Sequence, residues 1–115
     1  MKIIVAGGRN FDNYILLCQK LTYYFQNLKH PVIVCGEAKG ADTLGRRYAE
    51  ELGLDIMSFP ANWEKEGKAA GYRRNERMAA EADALIAFWD GKSKGTEHMI
   101  KTMETLKKPV RIVYY

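Results

Sequence analysis

The sequence predicts an α/β domain: a five-stranded parallel sheet with helices on both faces. Three observations carry that expectation. Five short apolar runs rich in β-branched residues recur along the chain, and they are continuous rather than alternating, as strands covered on both faces are. Four stretches with apolar residues at helical spacing separate them. The 115 residues, 47% hydrophobic and 28% charged, suffice for one core without staples, so residues 1–115 are read as a single domain.

The first run, Ile3 to Ala6, leads to a stripe of Tyr14, Leu17, Cys18, Leu21, Phe25 and Leu28, with Asp12 and Asn13 supplying capping chemistry. Val32 to Cys35 is the second strand. The second helix starts near Gly40, sets Ala41, Leu44, Gly45, Tyr48, Ala49 and Leu52 on one face, and stops at Gly53. Ile56 to Phe59 follows, then an irregular stretch from Pro60 to Lys68. A third helix, about Ala69 to Glu81, turns Gly71, Met78, Ala79 and Ala82 inward. Ala84 to Trp89 is the fourth strand, and a helix from Thr96 to about Lys107 buries Thr96, Met99, Ile100 and Met103. Pro109 opens the last strand, Val110 to Tyr114. Right-handed crossovers of this length make the sheet parallel. We prefer the strand order 3-2-1-4-5, which puts the switch point between the first and fourth strands; periodicity leaves 2-1-3-4-5 open.

Composition narrows the function classes. Eighteen basic against 14 acidic residues give +4, which suits anionic ligands but falls short of a dedicated DNA binder. Cys18 and Cys35 lack the paired spacing of a disulfide scaffold, so a reducing cytosol is expected. No signal peptide precedes the first strand, and no apolar run approaches the roughly 20 residues that span a bilayer. Isolated His30 and His98 offer no structural zinc spacing; a magnesium ion would come only with a ligand's phosphates.

Three strand-to-helix loops are glycine-rich: Gly7-Gly8-Arg9-Asn10, Gly36-Glu37-Ala38-Lys39-Gly40-Ala41-Asp42, and Asp90-Gly91-Lys92-Ser93-Lys94-Gly95-Thr96. Glycine lets backbone N–H groups approach phosphate oxygens, and a helix N-terminus adds favourable partial charge. Each loop alone is equally well a tight turn; together they read as an anion cradle. Gly91-Lys92-Ser93 mimics the end of a Walker A loop, but its first glycine would fall at Ile86. The three spaced glycines of a dinucleotide fingerprint are missing after the first strand. Gly91-Lys92-Ser93-Lys94-Gly95 matches a nucleophile elbow, yet the only later histidine, His98, is five residues away, with no acidic residue from a separate strand to complete a triad. The segment Ala61 to Met78 gathers Trp63, Arg73, Arg74 and Asn75, which suits base stacking and phosphate or ribose contacts. Lys65, Lys68 and Arg77 read as a solvated face.

In order along nearly the whole chain, Val5-Ala6-Gly7-Gly8-Arg9-Asn10-Phe11, Gly36 to Asp42, Pro60-Ala61-Asn62-Trp63, Gly67-Lys68-Ala69-Ala70-Gly71, Arg74-Asn75-Glu76-Arg77-Met78, Ala87-Phe88 and Gly95-Thr96 resemble the YspA-like, cpYpsA-related branch of the SLOG superfamily. That superfamily is Rossmann-like and includes, more distantly, the LOG phosphoribohydrolases and DprA. The resemblance implies a nucleotide-derived ligand, homo-oligomers, and a branch found in bacteria and many phages. It marks Gly7, Gly8 and Arg9 as a first phosphate loop, Gly36, Gly40, Ala41 and Asp42 as a second, Arg74-Asn75 as the branch's paired residues, and Gly95-Thr96 as the phosphate turn. Ala38, Trp63, Asp90 and Gly91 complete the expected ligand site. The chain departs from the LOG pattern where a catalytic glutamate would stand three residues after Thr96: that position is Met99. Glu97 points about 200° away on the helix, and Lys92 and Ser93 replace the preceding double glycine.

The leading expectation is therefore binding of a nucleotide or an ADP-ribose-like or signalling derivative, as a sensor or sequestering protein. The alternative is a hydrolase of an N-glycosidic or phosphate bond, with Glu97, Asp42 or Glu37 as acid/base. A third is a nucleic-acid module using Lys92, Lys94 and Arg73. Tyr14, Tyr23 and Tyr24 are candidates for a subunit contact.

Overall fold

In the computed structural model, which describes residues 1–115, five strands pair in parallel in the order β3-β2-β1-β4-β5. The elements run β1 (Lys2–Gly7), α1 (Tyr14–Phe25), β2 (Val32–Cys35), α2 (Ala41–Leu52), β3 (Asp55–Ser58), α3 (Trp63–Glu66), a 3-10 turn (Gly67–Ala69), α4 (Ala70–Glu81), β4 (Ala84–Trp89), α5 (Lys94–Thr105) and β5 (Val110–Tyr114). The preferred strand order is the one observed.

Alternation along the central strands sorts the core into two layers. Ile3, Val5, Ile33, Ile86 and Phe88 face α1 and α2, meeting Leu17, Leu21, Phe25, Tyr48 and Ala49. Ile4, Ala6, Val34, Leu85 and Ala87 face α4 and α5, meeting Met78, Ala79, Met99, Ile100 and Met103. Gly45 brings α2 close to the sheet, since a Cβ there would lie 2.7 Å from Val5 Cγ1. Asn13 caps α1, its Oδ1 accepting from the Leu16 N–H at 3.0 Å. Gly53 ends α2 in the left-handed region, at φ 68°. No helix is long and apolar enough to cross a membrane. Cys18 and Cys35 are free thiols.

Several local expectations are corrected. β3 and β5 are edge strands, so their residues are mostly half-buried or exposed; burial on both faces holds for the central strands β1, β2 and β4. β3 begins and ends one residue before the expected run, and α5 begins and ends two residues earlier. Leu52, the last residue of α2, is exposed, and Gly71, in the first turn of α4, is only half-buried. The stretch after Pro60 is not irregular: it holds α3, capped by Asn62 Oδ1 accepting from the Lys65 N–H, and the 3-10 turn.

Candidate functional site

The register sets Gly7 beside Phe88, so β1 and β4 end level with each other. From there the chain departs to opposite faces, β1 into α1 and β4 into α5. The crevice between those departures is a topological switch point, where open α/β sheets take ligands. It opens into a cleft of about 530 Å³ lined by all three glycine-rich loops, by α4 and by Tyr115.

The β1–α1 loop lies too close to β4 for side chains: a Cβ on Gly7 would overlap the Phe88 carbonyl oxygen. The Gly8 N–H donates to that same carbonyl at 3.1 Å. The Gly8 carbonyl in turn accepts from Phe11 at 3.2 Å and from Ala41 at 3.4 Å. In this loop the N–H groups of Arg9 and Asn10 have no protein acceptor, and both residues line the cleft.

The β2–α2 loop is closed on a carboxylate of its own. Asp42 is buried in the first turn of α2, and its Oδ2 accepts from the Gly36 N–H at 3.2 Å and the Ala38 N–H at 3.4 Å. These bonds hold Glu37 in the left-handed region, at φ 59°. Burial pushes the Asp42 carboxyl up to about 6; Arg74 and the two N–H groups oppose that rise without cancelling it. Gly40, at φ 79°, packs against the Gly8 carbonyl and the Arg9 backbone, locking two loops together. A side chain on Gly36 would run into Arg74.

A polar chain crosses the cleft floor. The Arg74 guanidinium donates through Nη1 to the Gly36 carbonyl and through Nε to Asn75 Oδ1 at 3.1 Å. Buried Asn75 donates through Nδ2 to the Gly95 carbonyl and to His98 Nδ1, both at 3.2 Å. That last bond leaves the His98 proton on Nε2. The His98 ring packs on Tyr72 at 4.4 Å. All hydrogen-bond partners of Arg74 are neutral, and burial lowers its affinity for its proton. It stands as a half-buried charge without an ion-pair partner.

Asp90 organises the β4–α5 loop. Its Oδ1 accepts from the Lys92 and Ser93 N–H groups, each at 2.8 Å, which holds its carboxyl below the usual range. Trp89 Nε1 donates to the Ser93 carbonyl at 3.0 Å, and Ser93 Oγ pairs with Thr96 Oγ1 at 3.1 Å. Ser93 is the N-cap of α5, yet its side chain caps no N–H. The first-turn N–H groups of α5 thus have no side-chain acceptor, and Ser93, Gly95 and Thr96 line the cleft.

The family model for the YspA, cpYpsA-related SLOG family matches residues 1–65. The Gene 61 protein of Mycobacterium phage D29 is 38% identical over 116 residues, covering 95% of this chain and 93% of that protein. This chain belongs to the YspA, cpYpsA-related SLOG family. Among solved structures, DNA processing protein A (DprA) from Streptococcus pneumoniae superposes with a TM-score of 0.79 at 18% identity, over 96% of this chain. The chain spans about half of that protein, 49%, and the likeness is one of fold. SLOG membership implies a nucleotide-related ligand-binding role.

Within this SLOG domain the cleft brings together Gly7, Gly8, Arg9, Ala38, Asp42, Trp63, Arg74, Asn75, Asp90, Gly95 and Thr96. Gly36, Gly40, Ala41 and Gly91 do not line it. The first three of these act in loop packing, and the Ala41 N–H is taken by Gly8. Two proposed acid/base residues also lie off the cleft: Glu97 pairs with Lys101 at 3.2 Å, and Glu37 lies 4.0 Å from Arg46. Met99, where LOG enzymes carry glutamate, is buried and lines the floor. Sequence reasoning missed Asn10, Lys68, Tyr72, Lys92, Ser93 and Tyr115 as lining residues. Tyr72 and Lys68 lay in the aromatic-basic segment already singled out. Nothing local marked Tyr115.

Proposed function

We propose that this cleft binds a nucleotide or nucleotide-derived ligand, of ADP-ribose-like or signalling type, and that the protein acts as its sensor or sequestering agent. Arg74 carries the reading. A desolvated guanidinium whose partners are all neutral gains most from an anion arriving at its open edge. Arg9, Lys68 and Lys92 line the same cleft, and the first turn of α5 faces it. At the other end stand Trp63 and Tyr72, 55% and 45% exposed, surfaces on which a base can stack. Phosphates thus belong toward the loops and the ring system toward α3 and α4.

Calorimetry and thermal shift against AMP, ADP, ATP, cyclic nucleotides and ADP-ribose test this. A ligand at 100 times its Kd stabilises by about 2.7 kcal/mol, a rise in Tm on the order of 10 °C. Binding no better than millimolar across the panel overturns the proposal.

One observation favours a hydrolase as the second reading: Asp42 lines the cleft with its carboxyl raised to about 6, suited to donating a proton near neutral pH. A product assay on the same panel separates the two. Turnover lost in Asp42→Asn with binding retained makes the protein an enzyme, and its absence in the wild type leaves it a binder.

A further inference from the structure

The phenol of Tyr115 is placed where neither the glycine loops nor the helix termini account for it. The residue follows β5, on the far side of β4 from β1, and its N–H donates to the Trp89 carbonyl at 3.2 Å. Its ring packs on Phe11 at 4.8 Å, and Phe11 packs on buried Phe88 at 4.9 Å. This aromatic file carries the hydroxyl over the end of β4 and sets it against Gly8, so closely that a Cβ on Gly8 would overlap the phenol oxygen. Tyr115 lines the cleft and is 44% exposed, and its hydroxyl makes no hydrogen bond within the protein. Burial and the nearby Asp90 carboxylate both raise its pKa, so it keeps its proton.

We infer that Tyr115 is a ligand-contacting residue whose hydroxyl donates a hydrogen bond to an anionic phosphate oxygen held beside the Arg9 and Asn10 N–H groups. The assignment rests on the nucleotide reading of the cleft and adds a donor from β5 to it. It also gives Gly8 a specific reason: the position is glycine to leave room for this phenol. A hydroxyl suits the place better than another cation, because it supplies a donor without forming an ion pair with Asp90 that would draw it from the ligand. Phosphate oxygens reached by Tyr115, Arg9 and the start of α5 then belong to one group clasped from three sides.

The test uses the full chain, with ADP and inorganic pyrophosphate as probes in calorimetry. Tyr115→Phe keeps the ring stack, so its melting temperature stays within a few degrees of wild type, while affinity for both probes falls about tenfold or more. Gly8→Ala pushes the phenol aside and weakens binding by a similar factor. The double variant Gly8→Ala/Tyr115→Phe is no weaker than either single one: with the oxygen gone, the nearest ring atom lies 3.3 Å from the new methyl. That non-additivity is the signature of one shared contact. Wild-type affinity in Tyr115→Phe overturns the assignment and leaves the nucleotide reading standing. Independent, additive losses in the double variant also overturn it, as does failure of the wild-type protein to bind either probe; the nucleotide reading falls with it only when the whole nucleotide panel fails as well.

Discussion

Asp42 gives the protein a pH dependence opposite in sign to ordinary acid denaturation. Its carboxyl is raised from 3.8 to about 6, mainly because burial strips its hydration. The hydrogen bonds that replace that hydration are long, at 3.2 and 3.4 Å, and Arg74 spends its Nη1 and Nε donors on neutral groups. The native state therefore binds the Asp42 proton more tightly than the unfolded chain does. A gap of about two pH units corresponds to roughly 3 kcal/mol, a destabilisation fully present above pH about 6 and relieved as pH falls toward 3.8. About 2 kcal/mol of it is recovered between pH 7.5 and 4.5. Glu51 and Asp90, whose carboxyls are lowered, act in the opposite direction, so the raw stability profile mixes signs. Subtracting Asp42→Asn removes them.

The assay is urea unfolding of wild type and Asp42→Asn at fixed ionic strength, in steps from pH 4.5 to 7.5. Asparagine keeps an acceptor for the Gly36 and Ala38 N–H groups and has no proton to titrate in this range. Relative to the variant, wild type gains about 2 kcal/mol on going to pH 4.5, a shift in midpoint of about 1 M urea. A wild-type-minus-variant difference that stays flat across this range, or that grows with rising pH, refutes the argument. The same protonation removes a negative charge from the cleft, so affinity for ADP tightens below pH 6 in wild type and does so less in Asp42→Asn.

Other outcomes follow from the geometry. Arg74→Gln weakens ADP binding tenfold or more in calorimetry, while costing under about 1 kcal/mol in stability, since it removes a desolvated charge along with its bonds. Lys108→Met lowers stability by about 1–2 kcal/mol in thermal melts, because the ammonium caps the end of α4 through the Ala79, Ala80 and Ala82 carbonyls at 2.6, 3.3 and 2.8 Å. Gly40→Ala costs about 2 kcal/mol or more by denaturation, since φ is 79° and the new methyl overlaps the Gly8 carbonyl. Glu97→Gln leaves ADP affinity and any turnover unchanged, its carboxylate being turned to Lys101.

Strand bounds were legible as apolar runs both inside the sheet and at its edge: Val32–Cys35, Ala84–Trp89 and the edge strand Val110–Tyr114 match their expected runs, while central β1 extends one residue past its run at each end. Ile56, Met57 and Ile112 are as apolar, yet lie on edge strands. Composition alone does not distinguish an edge from a centre, because cover on one side still draws apolar residues. The site was legible as a set of loops, and Arg74 and Asn75 stood out by residue type. Tyr115 was not, since it reaches Gly8 across β4 through a stack of rings that no spacing records.

The glycine loops also mislead in an instructive way. A glycine-rich turn suggests free N–H groups, but two of the three loops contain an aspartate that takes those groups for itself. Asp42 takes Gly36 and Ala38, and Asp90 takes Lys92 and Ser93. Each carboxylate fixes its loop before any ligand arrives, so less ordering entropy is lost on binding. Their negative charge also confines an anion to the remaining ground: the Arg9 and Asn10 N–H groups, the first turn of α5, and the open edge of Arg74. On the proposed reading the aspartates shape the cradle, and the donors left over after they are satisfied are the ground on which a phosphate would lie.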